Sequence, residues 1–490
     1  MPILDGFTLP TDQPNERPSI TNLRYADYLE YGFELDLGET PFVWNLQDHE
    51  LQNMFLSTFP KAGQIKFNVT GWDDKHYGLG PDSDGLTAEH RRLAREAFKL
   101  YQENLGIDFI ETTGDDADIY FMDNSDNKGY SSRTPKYNDR FLAKTYPENS
   151  FINITLDQDE KTTLDSSLFS TYIHEIGHSL GLGHDGNYNF SDANPSASNY
   201  INAGKYLNSS QQSTMMSYFR VPSSENKSRW GGYVNTNIKA DFIETNTPMP
   251  VDWLALDNMY KDQGFGISNS FNGDTRYGVN TNISADTSEV WTNFSDFITT
   301  NAFTIVDGSG YDIIDVSFSD SDQEIDLRQT DPNSDSLYSS DIAGRKGNLY
   351  IAASTVIEEA ITGAGDDILI GNADNNTLNG GAGSDQLWGH EGANTLKSGD
   401  LDGYTDELYV HAGNSQQKRD LLIQVDATDR IYIDGIKDDE LTFKSNIDDP
   451  TGSNYVGIGI YANGILEALV VDSALTEGQI SDITSAGEFS

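Results

Sequence analysis

The chain of 490 residues contains no cysteine. That excludes disulfide frameworks, thiolate nucleophiles, Cys-ligated zinc and iron–sulfur clusters. Basic residues are scarce: 31 Lys plus Arg stand against 78 Asp plus Glu, a net charge of −47. Such a surface repels phosphate backbones and anionic lipid, which argues against nucleic acid and membrane surfaces as partners. It attracts hard cations, Ca²⁺ first among them outside cells. A salt-tolerant origin produces the same acidity, and composition leaves the two open. No apolar run approaches the ~18 residues of a membrane span, so no stable membrane insertion is expected. The opening MPILDGFTLPTDQPNERPS has no basic stretch followed by an apolar one. Export, if it occurs, is expected to proceed without an N-terminal signal. Hydrophobic residues still make up 36% and aromatics 11%, enough for a folded chain. The length calls for at least two domains.

Residues 1–20 carry prolines and little periodicity and read as an arm or short pro-segment. Residues 21–264 mix helix and strand signals. A helix is expected over 87–105, with Thr87 as N-cap, Leu93, Ala94, Ala97, Phe98, Tyr101 and Leu105 on one face, and Gly106 as its stop. Strands follow at 107–111 and 118–122. A second helix over about 165–180 carries Leu168, Phe169, Tyr172, Ile173, Ile176 and Leu180. A third is expected near 252–260. After about 265, Gly, Asp, Asn, Ser and Thr dominate, and short β-like runs recur at 312–318, 349–352, 421–425, 430–433, 455–461 and 466–471. Residues 265–490 therefore read as all-β.

The second helix contains His174-Glu175-Ile176-Gly177-His178, followed by Gly181 and His184. Histidines four apart share one helical face and can present both rings to one ion. Gly181 allows a sharp bend that returns His184 to the same point. Three neutral imidazoles and a water make an open tetrahedral zinc site, with Glu175 placed to reach the water. Downstream stands Ser213-Thr214-Met215-Met216-Ser217-Tyr218. Alone, a Met pair before Tyr reads as core packing; thirty residues after a zinc motif it reads as part of the site.

A nine-residue repeat fills 362–397: TGAGDDILI, GNADNNTLN, GGAGSDQLW and GHEGANTLK. The template is G-G-x-G-x-D-x-U-x, where U is a large apolar residue. Leu369, Leu378, Leu387 and Leu396 occupy U in every frame. An isolated copy begins at Asp307 and includes Gly308, Gly310 and Asp312.

H-E-x-x-H-x-x-G-x-x-H followed by a Met-turn resembles the metzincin pattern, and the nonapeptides resemble the RTX calcium β-roll. In that order the two resemble the serralysins, secreted bacterial metalloproteases. The segment Asn272-Gly-Asp-Thr-Arg-Tyr-Gly-Val-Asn280 is similar to the one opening that family's C-terminal domain. Departures are visible. Asp185 follows His184 where the family often has Pro, Asn376 and Asn394 replace Asp in frames two and four, and the C-terminus does not match an apolar secretion signal. An astacin-like enzyme usually needs disulfides, which this chain lacks.

The resemblance implies an α+β protein: a metzincin zinc-protease domain at 21–264, then an all-β C-terminal domain at 265–490. A parallel β-roll is expected at about 345–400, and a β-sandwich with a secretion region at about 401–490. One catalytic Zn²⁺ is expected on His174, His178 and His184. Glu175 is the general base, Tyr218 a zinc ligand at rest and oxyanion donor in turnover, and Met216 a packing platform. Several structural Ca²⁺ ions are expected on Gly363, Gly365, Asp367, Asn376, Gly381, Gly383, Asp385 and Asn394, and a further one on Gly273, Thr275, Asp307 and Asp312. Two frames make one coil, so Asp367 and Asp385 stack on one side and Asn376 and Asn394 on the other. Fewer charges weaken Ca²⁺ binding, so a strong row and a weak or empty row are expected. The strand at 118–122 is expected either to pair with an extended substrate or to be an ordinary sheet member. Expected partners are extracellular proteins or peptides as substrates and a proteinaceous inhibitor as candidate regulator, on a secreted monomer.

Overall fold

The structure, a computed structural model, describes residues 19–32, 46, 63–72, 82–114, 116–123, 130–136, 146–154, 161–185, 206, 208–217, 219–220, 233–234, 240–241, 243–399, 403–413, 419–437, 440–451 and 453–489. The arm expected at 1–20 lies outside the described residues except for its last two, and so does Tyr218.

In the first half, α2 (Ala88–Leu105) and α3 (Ser167–Leu180) pack on a five-stranded sheet, and α1 (Asn22–Gly32) packs on α4 (Pro250–Tyr260). The α2 boundaries follow from its ends. The Thr87 hydroxyl accepts the His90 N–H at 3.4 Å, and Gly106 turns left-handed at φ 71°. The Ser166 hydroxyl caps α3 through the Phe169 N–H. Helix α1 was not singled out in the sequence; its role appears below.

The sheet contains β1 (Gln64–Asn68), β2 (Asp108–Glu111), β3 (Ile119–Met122), β4 (Tyr130–Lys136) and β5 (Tyr146–Asn153), in the order β2-β1-β3-β5-β4. All pairings are parallel except β4 with β5. The strand expected at 118–122 is β3, and it lies between β1 and β5. Both of its edges are therefore committed, and it cannot add a substrate strand. The strand is the ordinary sheet member of the two alternatives, buried at all four positions. Helices α2 and α3 pack on each other, and α3 also packs on β4 and β5. This places α3 alongside the antiparallel margin of the sheet.

Two short parallel strands, β6 (Phe219–Arg220) and β7 (Tyr233–Val234), follow. Then β8 (Glu244–Thr245) pairs with β10 (Asn301–Ile305), and β10 with β13 (Leu349–Ile351), tying the halves together. Most of the rest is a two-sided parallel roll, although 265–490, expected to be all-β, is not purely so: short helices occupy Glu289–Thr292, Phe294–Phe297 and Glu477–Ile483. One side stacks β9 (Arg276–Gly278), β11 (Ile313–Asp315), β14 (Glu359–Ile361), β16 (Thr377–Asn379), β18 (Thr395–Lys397), β20 (Asp420–Ile423) and β24 (Ile465–Val471). The other side stacks β12 (Glu324–Asp326), β15 (Ile368–Ile370), β17 (Gln386–Trp388), β19 (Glu407–His411), β21 (Arg430–Asp434) and β25 (Thr484–Gly487). An antiparallel pair, β22 (Leu441–Asp448) and β23 (Val456–Ala462), extends the first side beyond β24.

The parallel ladder thus runs from 276 to 487, well beyond the 345–400 segment in which the repeat is legible. The strands after 400 lengthen its two facing sheets. Leu369, Leu378, Leu387 and Leu396 are fully buried between those sheets, with Ile314, Ile325, Ala360, Leu408, Leu422 and Ile431. Burying each such leucine contributes about 1.5–3 kcal/mol, so every frame must keep its U position.

Candidate active site

Helix α3 presents His174 and His178 on one face, and Gly181 ends it. Gly181 sits at φ 123°, a conformation side chains resist. Its N–H reaches the His178 carbonyl at 3.1 Å, and the Leu182 N–H reaches that of Gly177 at 3.0 Å. The chain doubles back and brings His184 to the other two rings, with centroid separations of 4.6, 4.5 and 5.4 Å.

Hydrogen bonds set the tautomers. The His174 Nδ1 lies 2.9 Å from the Met215 carbonyl, and the His178 Nδ1 lies 2.7 Å from that of Leu182. A carbonyl can only accept, so each Nδ1 carries the proton in the neutral ring and each Nε2 offers a lone pair. The Nε2 atoms of His178 and His184 are 3.1 Å apart, and one ring nitrogen from each of the three lies within 4.8 Å of the others. At that distance the His178 Nε2 lone pair either accepts an N–H from neutral His184 or, in the other His184 tautomer, faces a second lone pair across the position of a cation. Two nitrogens bound to tetrahedral zinc at ~2.0–2.1 Å would be separated by about 3.3 Å. Burial pushes the His174 pKa down to about 4, against a smaller upward pull from the Met215 hydrogen bond. The ring stays neutral, as a ligand must.

Glu175, next to His174 on the helix, is buried, and its Oε2 has no hydrogen-bond partner among the described residues. Burial alone pushes its pKa up to about 8. A cation in the triad opposes that shift and returns the carboxylate form. The residues present therefore fit a divalent metal with a basic carboxylate next to it.

The site has supports that sequence reasoning missed. Asp252 of α4 is fully buried and accepts the Met215 N–H and the Met249 N–H, each at 2.8 Å, and the Thr214 hydroxyl. It anchors the turn whose Met215 carbonyl orients His174. The hydroxyls of Tyr101 and Tyr260 donate to the Ile173 and Leu180 carbonyls of α3 at 2.9 and 2.6 Å. Met216 is fully buried. Asp185, the departure noted after His184, is buried with its Oδ2 2.7 Å from the Tyr25 hydroxyl. Burial pushes the Asp185 pKa up to about 7, while hydrogen bonds from Ser217, Tyr25 and Ser209 pull it back. Burial and the nearby Asp185 push the Tyr25 phenol well up, so it stays a donor. Buried polar side chains with complementary partners far along the chain were the available signal, but distant partners cannot be paired by spacing.

The turns of the roll form a second group. The structure brings Gly273, Thr275, Asp307 and Asp312 together. The Thr275 N–H donates to Asp312 at 2.7 Å, the Thr275 hydroxyl to the Gly273 carbonyl at 3.0 Å, and Tyr277 to Asp307 at 2.7 Å. Burial and the neighbouring Asp312 carboxylate push Asp307 up to about 8. On the side of Asp367 and Asp385, Gly363 and Gly365 stack under Gly381 and Gly383 so closely that a Cβ on Gly383 would strike the Gly365 carbonyl. Asp385 accepts the Asp367 N–H at 2.9 Å, and Asp406 accepts that of Asp385 at 2.9 Å. The second oxygens of Asp367 and Asp385 are buried without a partner among the described residues. Burial raises these two carboxyls to about 6 and about 8.

The other side is different. Asn394 Oδ1 accepts the Asn376 N–H at 2.9 Å, and Asn376 Oδ1 accepts the Asn372 N–H at 2.8 Å. The Asn376 and Asn394 amide groups donate to the Ile357 and Glu391 carbonyls at 3.1 and 3.2 Å.

Comparison with known proteins agrees with this layout. A matrixin profile matches residues 73–190, and a profile described as peptidase M10 serralysin C terminal matches 268–449. The chain belongs to the serralysin-type metzincins. It is 32% identical over 284 residues to a serralysin of Photorhabdus laumondii, covering 55% of this chain and 52% of that one. A serralysin of Photorhabdus luminescens is 32% identical over 331 residues, 65% of this chain and 60% of that one. The metalloprotease AprA of Pseudomonas entomophila is 34% identical over 209 residues, 42% of this chain and 37% of that one. The matches thus span from about a third to three-fifths of these relatives' length. Metzincin membership implies a catalytic zinc, and the triad of His174, His178 and His184 fits it. Among the described residues no helix is long and apolar enough to cross a membrane.

Proposed function

We propose that the protein is a secreted zinc-dependent endopeptidase that hydrolyses peptide bonds of extracellular proteins with broad specificity, its β half stabilised by calcium. One observation carries the reading: three imidazoles converge, two with Nδ1 committed to backbone carbonyls, and the glutamate next to His174 in the chain is buried with one oxygen unpartnered among the described residues. When bound, zinc would acidify a water from pKa 15.7 towards ~7 and polarise the scissile carbonyl. Met215 and Leu182 hold the His174 and His178 rings in the ligating tautomer. Glu175 accepts the proton of the attacking water at its carboxylate and delivers it to the leaving amine. The enclosing core keeps Glu175 poorly solvated, which favours its return to the protonated state between the two transfers.

Strand β4 is the outer strand of the first sheet, and among the described residues nothing pairs with its far edge. An extended peptide can add there through backbone hydrogen bonds. Binding carried by the backbone gives broad specificity.

Calcium supplies the charge that the buried carboxylates of Asp307, Asp312, Asp367 and Asp385 require. Extracellular modules bind Ca²⁺ at ~10⁻⁴–10⁻³ M, so the roll would fold outside the cell and stay open inside it.

The test is hydrolysis of casein by the purified full chain. Activity should vanish with a zinc chelator, return with Zn²⁺, and be lost in Glu175→Gln although that variant retains one zinc. Turnover by Glu175→Gln at the parent rate would remove Glu175 as the base. Chelator-resistant hydrolysis would remove the zinc.

A further inference from the structure

Helix α1 grips the loop that carries His184 on both sides of that residue. Before it, the Gly183 N–H donates to the Leu29 carbonyl at 2.8 Å. After it, the Tyr25 hydroxyl donates to Asp185 at 2.7 Å. Tyr25 and Leu29 are four apart, so both contacts come from one face of α1. Both residues and Asp185 are fully buried. His174 and His178 ride on a regular helix, whereas His184 lies beyond its end in irregular chain. The helix end holds the loop as far as Leu182, and the contacts from α1 flank His184 itself.

The helix is itself pinned at its start by the β half. The Asn22 and Leu23 N–H groups donate to the Ser334 and Pro332 carbonyls at 2.7 and 2.8 Å. The Asn22 amide donates to the Asp331 and Ser336 carbonyls at 2.9 and 3.0 Å. Asn208, just before the Met-turn, exchanges hydrogen bonds with Ile20 and donates to the Asp335 carbonyl. Tyr206 packs against Tyr25 and Tyr28 with centroids 6.1 and 5.9 Å apart. A continuous set of contacts therefore leads from the loop 331–336 through α1 to the third ring of the triad.

We propose that α1 is a clamp for the third zinc ligand, with Tyr25 as its positioning residue acting through Asp185, so that an element docked on the β half sets the metal affinity of the protease half. This rests on the zinc reading above. Tyr25 touches neither metal nor substrate; it restricts the loop so that His184 pays little ordering entropy on binding. Partners that orient ligands in this way are typically worth about 10–100-fold in metal affinity.

The experiment is a zinc competition titration of the full-length protein against a chromophoric chelator, with calcium present throughout. Tyr25→Phe should weaken zinc binding about tenfold or more. Asp185→Asn, whose amide oxygen still accepts from Tyr25, should stay within about threefold of the parent. The visible spectrum of the Co²⁺-loaded protein should lose intensity in Tyr25→Phe as one imidazole leaves, while the far-ultraviolet circular dichroism is unchanged. Parent-like zinc affinity in Tyr25→Phe overturns the clamp. So does equal loss in Asp185→Asn, which would assign the effect to charge. Should Tyr25→Phe fail to fold, Asp185→Ala, which removes the acceptor of the Tyr25 hydroxyl, decides in its place: a loss of about tenfold or more supports the clamp and parent-like affinity overturns it. A parent protein that binds no zinc overturns the zinc reading itself, a result distinct from either.

Discussion

Asp252 offers the most exposing perturbation outside the ligands. Its carboxylate serves two backbone N–H groups through one oxygen and the Thr214 hydroxyl through the other. In Asp252→Ala the Met215 and Met249 N–H groups lose their acceptor in a fully buried place. They cannot rotate away, whereas the Thr214 hydroxyl can. An unsatisfied buried donor costs about 1–3 kcal/mol, so Asp252→Ala should cost about 2–6 kcal/mol. Asp252→Asn differs. Its amide oxygen can accept both N–H groups, and its amide nitrogen can donate to the Thr214 oxygen once that hydroxyl turns. The cost should fall to about 1 kcal/mol. Urea unfolding of the metal-free protein, followed by Trp fluorescence, reads both. The Ala variant should also release zinc faster, because the Met215 carbonyl that orients His174 loosens. An Ala variant within about 1 kcal/mol of the parent, or an Asn variant as damaged as Ala, refutes the anchoring role.

Gly181→Ala places a side chain at φ 123°, so it should lose at least about 1–2 kcal/mol and weaken zinc binding in a chelator titration. Gly383→Ala meets the Gly365 carbonyl, and circular dichroism should show calcium-induced folding of the roll shifted to higher Ca²⁺ or lost. In chelator the β half should lose stability with rising pH. Asp367, Asp385 and Asp307 have folded pKa values raised to about 6, 8 and 8. Their protonated forms favour the fold below the unfolded value of 3.8, and that contribution disappears as pH passes each folded value. Saturating Ca²⁺ should reverse the slope between pH 6 and 8, a crossing visible in thermal melts at the two pH values. Calcium titration calorimetry on Asp367→Asn should show a site lost. Asn394→Asp should lower the calcium-free melting temperature, because a carboxylate cannot donate to the Glu391 carbonyl.

Short-range physics made much of this legible. A cap at Thr87, a left-handed Gly106 and a 3.6-residue stripe define α2 within twenty residues. His174, His178, Gly181 and His184 are a local device whose geometry follows from helix pitch and one bend. The U leucines are readable because every rung must bury one. Legibility failed where partners are distant or coils change length. Asp367 and Asp385 are 18 residues apart, but Asp385 to Asp406 is 21 and Asp406 to Asp429 is 23. The turns lengthened while the rungs kept register, so the period disappears after 400 although the ladder continues. Helix α1 is rich in tyrosine and acidic residues, and its meaning lies in Asp185, 160 residues away. A short apolar run such as 119–122 reads the same in a sheet centre as at an edge, and only its neighbours β1 and β5 decide.

The central claim is that three imidazoles hold one zinc ion. X-ray absorption at the zinc edge of the purified full-length protein tests it directly. The account predicts one zinc per chain with three imidazole nitrogens at ~2.0–2.1 Å, falling to two in His184→Ala. Protein without zinc, or a signal unchanged in His184→Ala, would contradict it.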